Sequence, residues 1–88
     1  MVLVNGLIWD DWNKNHIADH KITIEEVEEV CHGNHRMRES YRKRILITGR
    51  TKTKRFLAIV LSPENRNLKL YGNGIYYVVT AFEKEVKL

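Results

Sequence analysis

The chain changes its hydrophobic period once, and that change limits what it can fold into. Between Asp11 and Gly33 the apolar residues recur at helical spacing, whereas after residue 40 they come in short runs rich in β-branched and aromatic side chains. The clearest helix starts after Thr23. Thr23 as N-cap and Glu26 three residues on have the spacing of a capping box, and Ile22 and Val27 stand where a hydrophobic staple would pack. Ile24, Val27, Val30 and Cys31 form one inward stripe, with Glu25, Glu28 and Glu29 facing outward. Gly33 supplies a C-cap, and residues 34–40 read as a polar loop.

A shorter helix is expected over residues 11–19, with Asp10 as its N-cap. Trp12, His16 and His20 fall at i, i+4, i+8 and share one face, with Ile17 beside them. Residues 1–9 are apolar and read as a short edge strand or an ordered arm. Strands are expected over residues 41–49, 56–61, 68–71 and 75–82. A hairpin turn at Thr51-Lys52-Thr53-Lys54, a turn around Pro63 and the break Gly72-Asn73-Gly74 separate them. The expected fold is therefore α+β. Two N-terminal helices pack on one face of a four-stranded, mainly antiparallel sheet, with the short N-terminal strand or arm at its margin. The opposite face is left open or covered by a partner.

Eighty-eight residues allow one domain, here 1–88, and 43% apolar composition is that of a folded protein rather than a disordered one. No apolar run approaches the roughly 20 residues of a membrane-spanning helix. The N-terminus lacks a basic region and a small-residue cleavage site, so no signal peptide is expected. A single cysteine, Cys31, makes no internal disulfide and fits a reducing cytoplasm.

The net charge of +4 conceals an asymmetry. Residues 1–35 carry two bases against seven acids, and residues 36–88 carry thirteen bases against four acids, giving −5 and +9. Nine of the fifteen basic residues lie in the stretch RMRESYRKRILITGRTKTKR, residues 36–55. Such a run either solvates strand ends or forms a surface for a polyanion. Basic residues interleaved with aromatics on a sheet suit single-stranded RNA, since phosphates pair with Arg and Lys while bases stack on rings. Neither helix is basic, which argues against a helix reading a DNA groove. Arg42, Lys43, Lys52, Lys54 and Tyr76 are candidate RNA contacts. Phe56 is expected to be buried, together with one of Tyr76 and Tyr77, because neighbours in a strand face opposite ways.

Three readings follow from the residue types. His16 and His20, with Cys31, His32 and His35 nearby, supply metal-ligand types. Their spacing matches no zinc pattern, and Cys31 serves better in the core, so neither a metal nor another cofactor is expected. Metal-free RNA cleavage needs a base for the 2′-hydroxyl, cations for the phosphorane and an acid for the leaving oxygen. His20 or His16 with Arg44, Arg50 and Arg55 meets that need if the first helix borders the basic strands. The same Trp–His–His stripe reads equally as a packed helix face. In a third reading the aromatic and basic sheet residues form a homodimer surface.

The pieces Ile8-Trp9-Asp10, Asn13, His16-Ile17 and His20, then Thr23 to Val30, stand in an order that is familiar. Lys43-Arg44, Ile47-Thr48-Gly49-Arg50-Thr51, Arg55-Phe56-Leu57 and Tyr76 to Ala81 continue it. In this the chain resembles the BrnT-like toxins of bacterial toxin–antitoxin pairs. The resemblance implies a RelE-like fold, metal-independent RNA cleavage, and neutralisation by a ribbon-helix-helix antitoxin. It sets His20 at the family's helix-end histidine and Arg44, Arg50 and Arg55 at its strand arginines. The chain departs from the pattern at Lys21, where the family usually has glycine, and at Phe82, where it commonly has arginine. The family's C-terminal basic helix has no counterpart in the six residues after Phe82. A module that has lost catalysis and only docks RNA or an antitoxin is the alternative these departures imply.

Overall fold

The computed structural model describes residues 4–33, 35–39, 43–64, 67 and 69–84. Its elements run β1 (Gly6–Ile8), α1 (Asp11–Asp19), α2 (Ile24–His32), β2 (Arg36–Glu39), β3 (Ile45–Arg50), β4 (Phe56–Ser62) and β5 (Ile75–Glu83). The strands make one five-stranded sheet in the order β1-β5-β4-β3-β2. β1 lies parallel to β5, and every other pairing is antiparallel. The fold is α+β, with α1 packed on β5 and α2 on β3 and β4.

Both helices start as their caps dictate. The Thr23 hydroxyl accepts from the Glu26 amide at 3.1 Å, and the Glu26 carboxylate accepts from the Thr23 amide at 3.1 Å. Ile22 and Val27, the staple pair, are both buried in the core. In α1 the Asp10 carboxylate accepts from the Asn13 amide at 2.9 Å, and the Asn13 side-chain oxygen accepts from the Asp10 amide at 2.8 Å. The two amide hydrogens of Asn13 go to the Ile8 carbonyl at 2.9 Å and the Val78 carbonyl at 3.1 Å. Asn13 is 0% exposed, so this one side chain ties α1, the end of β1 and the middle of β5 without leaving a buried polar atom unpaired.

The rest of the Trp-Asp-x-x-Asn segment is equally structural. The Trp9 indole N–H donates to Glu28 at 2.9 Å, and the Tyr77 hydroxyl donates to Asp10 at 2.9 Å. After α1 the chain turns through a Schellman motif. The Ile22 amide donates to the Ile17 carbonyl and the Lys21 amide to the Ala18 carbonyl, and Ile17 and Ile22 both enter the core. This leaves Lys21 at φ 61°, the conformation that favours the glycine expected from the resemblance.

Alternation sets the two faces of the sheet. Ile45 and Ile47 of β3 and Leu57, Ile59 and Leu61 of β4 face the helices. In β5 the pairing shifts between Val60 and Leu61, so that Val60 faces Thr80 while Leu61 faces Val78. The residue skipped, Val79, is a β-bulge that re-phases the strand. Tyr76 and Val78 before it and Ala81 after it all point into the core as a result.

Two local expectations are corrected. Residues 36–39 are not loop but strand β2, with Arg36 opposite Thr48 and Glu39 opposite Ile45. Among the described residues of 68–71 no strand forms, and Leu70 makes only an isolated bridge to Glu64. The antiparallel four are therefore β2 to β5. Among the described residues no helix is long and apolar enough to cross a membrane.

Candidate nucleic-acid interface

The face of the sheet away from the helices collects cations. In β3, Leu46, Thr48 and Arg50 alternate with the buried Ile45 and Ile47 and so face outward. Arg36 and Arg38 of β2 sit opposite Thr48 and Leu46, and Phe56 of β4 sits opposite Arg50. Lys84 is brought beside Phe56 by its amide, which donates to the Phe56 carbonyl at 2.7 Å. These residues line two adjoining hollows of about 560 and 310 Å³, which share Arg36, Thr48 and Lys84. Arg36, Arg38, Arg50 and Lys84 supply positive charge, and among the described residues no acidic side chain lines either hollow. The Arg50 guanidinium lies 5.6 Å from the Phe56 ring centroid, a cation–π contact worth about 0.5–1 kcal/mol at an exposed site. Three cations beside an aromatic ring and a fourth in the adjoining hollow, with no acid of the described residues among them, suit phosphate and base together.

The expected arginines do not gather here. Arg50 lines the hollow, but Arg44 precedes the other end of β3, about 20 Å away at the usual strand rise. Arg55 is on the helix side. Its guanidinium donates to both oxygens of Glu26, at 2.8 and 2.7 Å, and to Glu83 at 3.2 Å. Desolvation alone would lower its pKa, but the hydrogen bonds to Glu83 and Glu26 outweigh that and raise it. The turn between Arg50 and Arg55 explains their separation. The Lys54 amide donates to the Thr51 carbonyl, and Lys54 then takes φ 68°, which is a type I turn with a left-handed residue after it. That extra residue carries Arg55 to the face opposite Arg50.

The other candidates are scattered. Lys43, Lys52 and Lys54 are exposed, and the Lys52 amide donates to Glu29 at 2.8 Å, pinning the turn to α2. Arg42 lies outside the described residues. Tyr76 is 9% exposed and belongs to the core, so its ring offers no stacking face, and burial followed by the nearby Glu39 charge raises its hydroxyl pKa. Tyr77 is buried as well, and its hydroxyl donates to Asp10. Phe56, expected inside, is only half-buried and lines the hollow.

The histidines divide into three kinds. On α1, His16 stacks on Trp12 with ring centroids 4.9 Å apart, and His20 meets His16 edge-on at 5.2 Å. That stack rides on the helix beside β5, and neither histidine lines either of these two hollows. His32 pairs with Glu28 at 2.8 Å. His35 lines the larger hollow with Arg36 and Arg50, and its Nδ1 donates to the Val30 and Gly33 carbonyls, both at 3.0 Å. Sequence reasoning passed over His35 and Lys84 for this site, since each reaches it only through the sheet order. The one signal was position: His35 immediately precedes Arg36.

Cys31 is no nucleophile. Burial first, and the Glu28 charge second, push its thiol up to about 12. Among the described residues no group of three or more His, Cys, Asp or Glu side chains is placed to hold a metal ion. No family model, curated protein or solved structure matches this chain.

Proposed function

We propose that the protein binds single-stranded RNA on the open face of its sheet and cuts it without a metal, as the ribonuclease toxin of a toxin–antitoxin pair. The observation that carries this reading is the pair of adjoining hollows, one where Arg36, Arg50 and Lys84 line the space beside Phe56 and one that adds Arg38, with no acid among the described residues lining either. A strand of RNA laid there meets guanidiniums at its phosphates and an aromatic ring at a base. The toxin assignment rests on the BrnT-like order of motifs, and it brings with it a ribbon-helix-helix antitoxin as partner and the cytoplasm as compartment. Arg50 and Arg36 hold the scissile phosphate in this reading, and Lys52 and Lys54 attract RNA from a distance. The test is incubation of purified protein with single-stranded RNA in excess EDTA. Saturable binding and fragmentation support the reading, and intact, unbound RNA sinks it.

A second reading is favoured by one observation: the α1 histidines stand apart from the hollow, and Phe82, 39% exposed, occupies the position of the family's arginine. Here the same face only docks RNA or an acidic antitoxin segment. Binding in EDTA without any cleavage selects it.

A further inference from the structure

The proposed cleavage lacks a proton acceptor if the α1 histidines are its only source, yet the hollow contains a histidine of its own. Carbonyl oxygens only accept hydrogen bonds. The contacts from His35 Nδ1 to the Val30 and Gly33 carbonyls therefore fix the proton on Nδ1. The neutral ring then carries its lone pair on Nε2. Among the described residues Nε2 has no hydrogen-bond partner. His32 differs, because its Nε2 is already engaged by Glu28. His35 is thus a ring whose orientation and tautomer are set by the end of α2, on the wall of a hollow that also presents Arg36, Arg50 and Lys84. Orienting an imidazole through one nitrogen so that the other can act is the general device of histidine bases.

We infer that His35 is the general base of this site, acting on RNA held between Arg36, Arg50 and Phe56. The inference rests on the RNA reading above and names the step that reading lacks. His35 Nε2 takes the proton of a 2′-hydroxyl. The O2′–P bond forms as the P–O5′ bond breaks, and the leaving 5′-oxygen takes a proton from solvent water. The imidazolium returns its proton to solvent, so nothing is oxidised, reduced or consumed. The products are a 2′,3′-cyclic phosphate and a 5′-hydroxyl end. The charge that builds on the phosphorane oxygens falls to the forked donors of Arg36 and Arg50.

The experiment uses the full chain, a labelled single-stranded RNA of mixed sequence and its all-deoxy counterpart, in EDTA. Wild type is expected to bind both, to cut only the RNA, and to leave cyclic phosphate ends. His35→Asn keeps a donor for the two carbonyls and removes the base. It is expected to bind RNA within about threefold of wild type, to lose cleavage by about 10²-fold or more, the range for a general base, and to regain part of it with added imidazole. His35→Ala serves beside it, with thermal unfolding of both variants to show that the fold is kept. Cleavage by His35→Asn at the wild-type rate, or its loss in His20→Ala but not His35→Asn, overturns the inference. RNA bound but never cut by wild type also overturns it and leaves binding standing, whereas no RNA binding at all removes the underlying reading as well.

Discussion

On the helix side of the sheet Arg55 gives its donors to two carboxylates, while at the other end of the same turn Arg50 lies over a phenylalanine ring on the open side. The two faces repeat that difference. Under the helices polar groups are answered: Asn13 by three backbone groups, Trp9 by Glu28, Arg55 by Glu26. On the open face Arg36, Arg38, Arg50 and Lys84 line hollows that no acid of the described residues enters. Paired charges hold a geometry and have little left for a ligand. Clustered like charges cost the folded state some repulsion and have that to gain from a polyanion. The chain thus places arginine in two settings, paired with carboxylates at Arg55 and set over an aromatic ring among other cations at Arg50.

Substitutions on the two faces should therefore separate stability from binding. The largest loss of stability is expected at Asn13. Asn13→Leu leaves the Asp10 amide and the Ile8 and Val78 carbonyls without their partner, and with some relaxation should cost about 3 kcal/mol. Urea unfolding measures this, and a cost under about 1 kcal/mol would show that the clasp is not what joins α1 to the sheet. On the open face the double variant Arg36→Ala/Arg50→Ala should weaken RNA binding by about 30-fold, or roughly 2 kcal/mol, with a stability change within about 0.5 kcal/mol. Arg55→Ala should show the reverse. It should cost about 1–2 kcal/mol of stability, most of it from Glu26 because Glu83 is half exposed, and leave RNA affinity within about twofold. If Arg55→Ala abolishes RNA binding in a folded protein, the division between the faces is wrong.

Two smaller effects lie on the helix side alone. Cys31 is raised from 9.0 to about 12 in the folded protein. A raised thiol favours folding fully below the unfolded value, and that advantage is lost as pH climbs from 9.0 towards about 12, with a slope of up to about 1.4 kcal/mol per pH unit. Cys31→Ala should flatten this alkaline decline in unfolding free energy, and an unchanged slope would place the thiol outside the core. Lys21→Gly should relieve the left-handed strain at φ 61° and stabilise by about 0.5–1 kcal/mol, seen as a small rise in Tm.

Much of the helix side was legible in the sequence. The Thr23/Glu26 box, the Asp10 cap, the staple and the stripe of α2 are local patterns, and local patterns survive into the structure. β2 was not legible, because Arg-Met-Arg-Glu has one apolar residue and becomes a strand only by pairing with β3. The segment 68–71 misled in the opposite way, since its apolar residues have no strand beside them beyond one bridge. The site was half legible. The basic run pointed at Arg50, but whether Arg55 shares its face depends on one left-handed residue in the turn. Sequence spacing does not reveal that residue when it is a lysine rather than a glycine. The bulge at Val79 hid Tyr76 in the same manner. His35 and Lys84 reach the hollow from two chain segments far apart in sequence, which only the sheet order brings together.

The most direct test of the two-faced account is the salt dependence of binding to a single-stranded RNA oligonucleotide in EDTA, for wild type, Arg50→Ala and Arg55→Ala. Four cations on the open face predict a log–log slope of about −3 for wild type, smaller by about 0.7 for Arg50→Ala and unchanged for Arg55→Ala. A flat response, or a slope that changes with Arg55 and not with Arg50, would contradict the account.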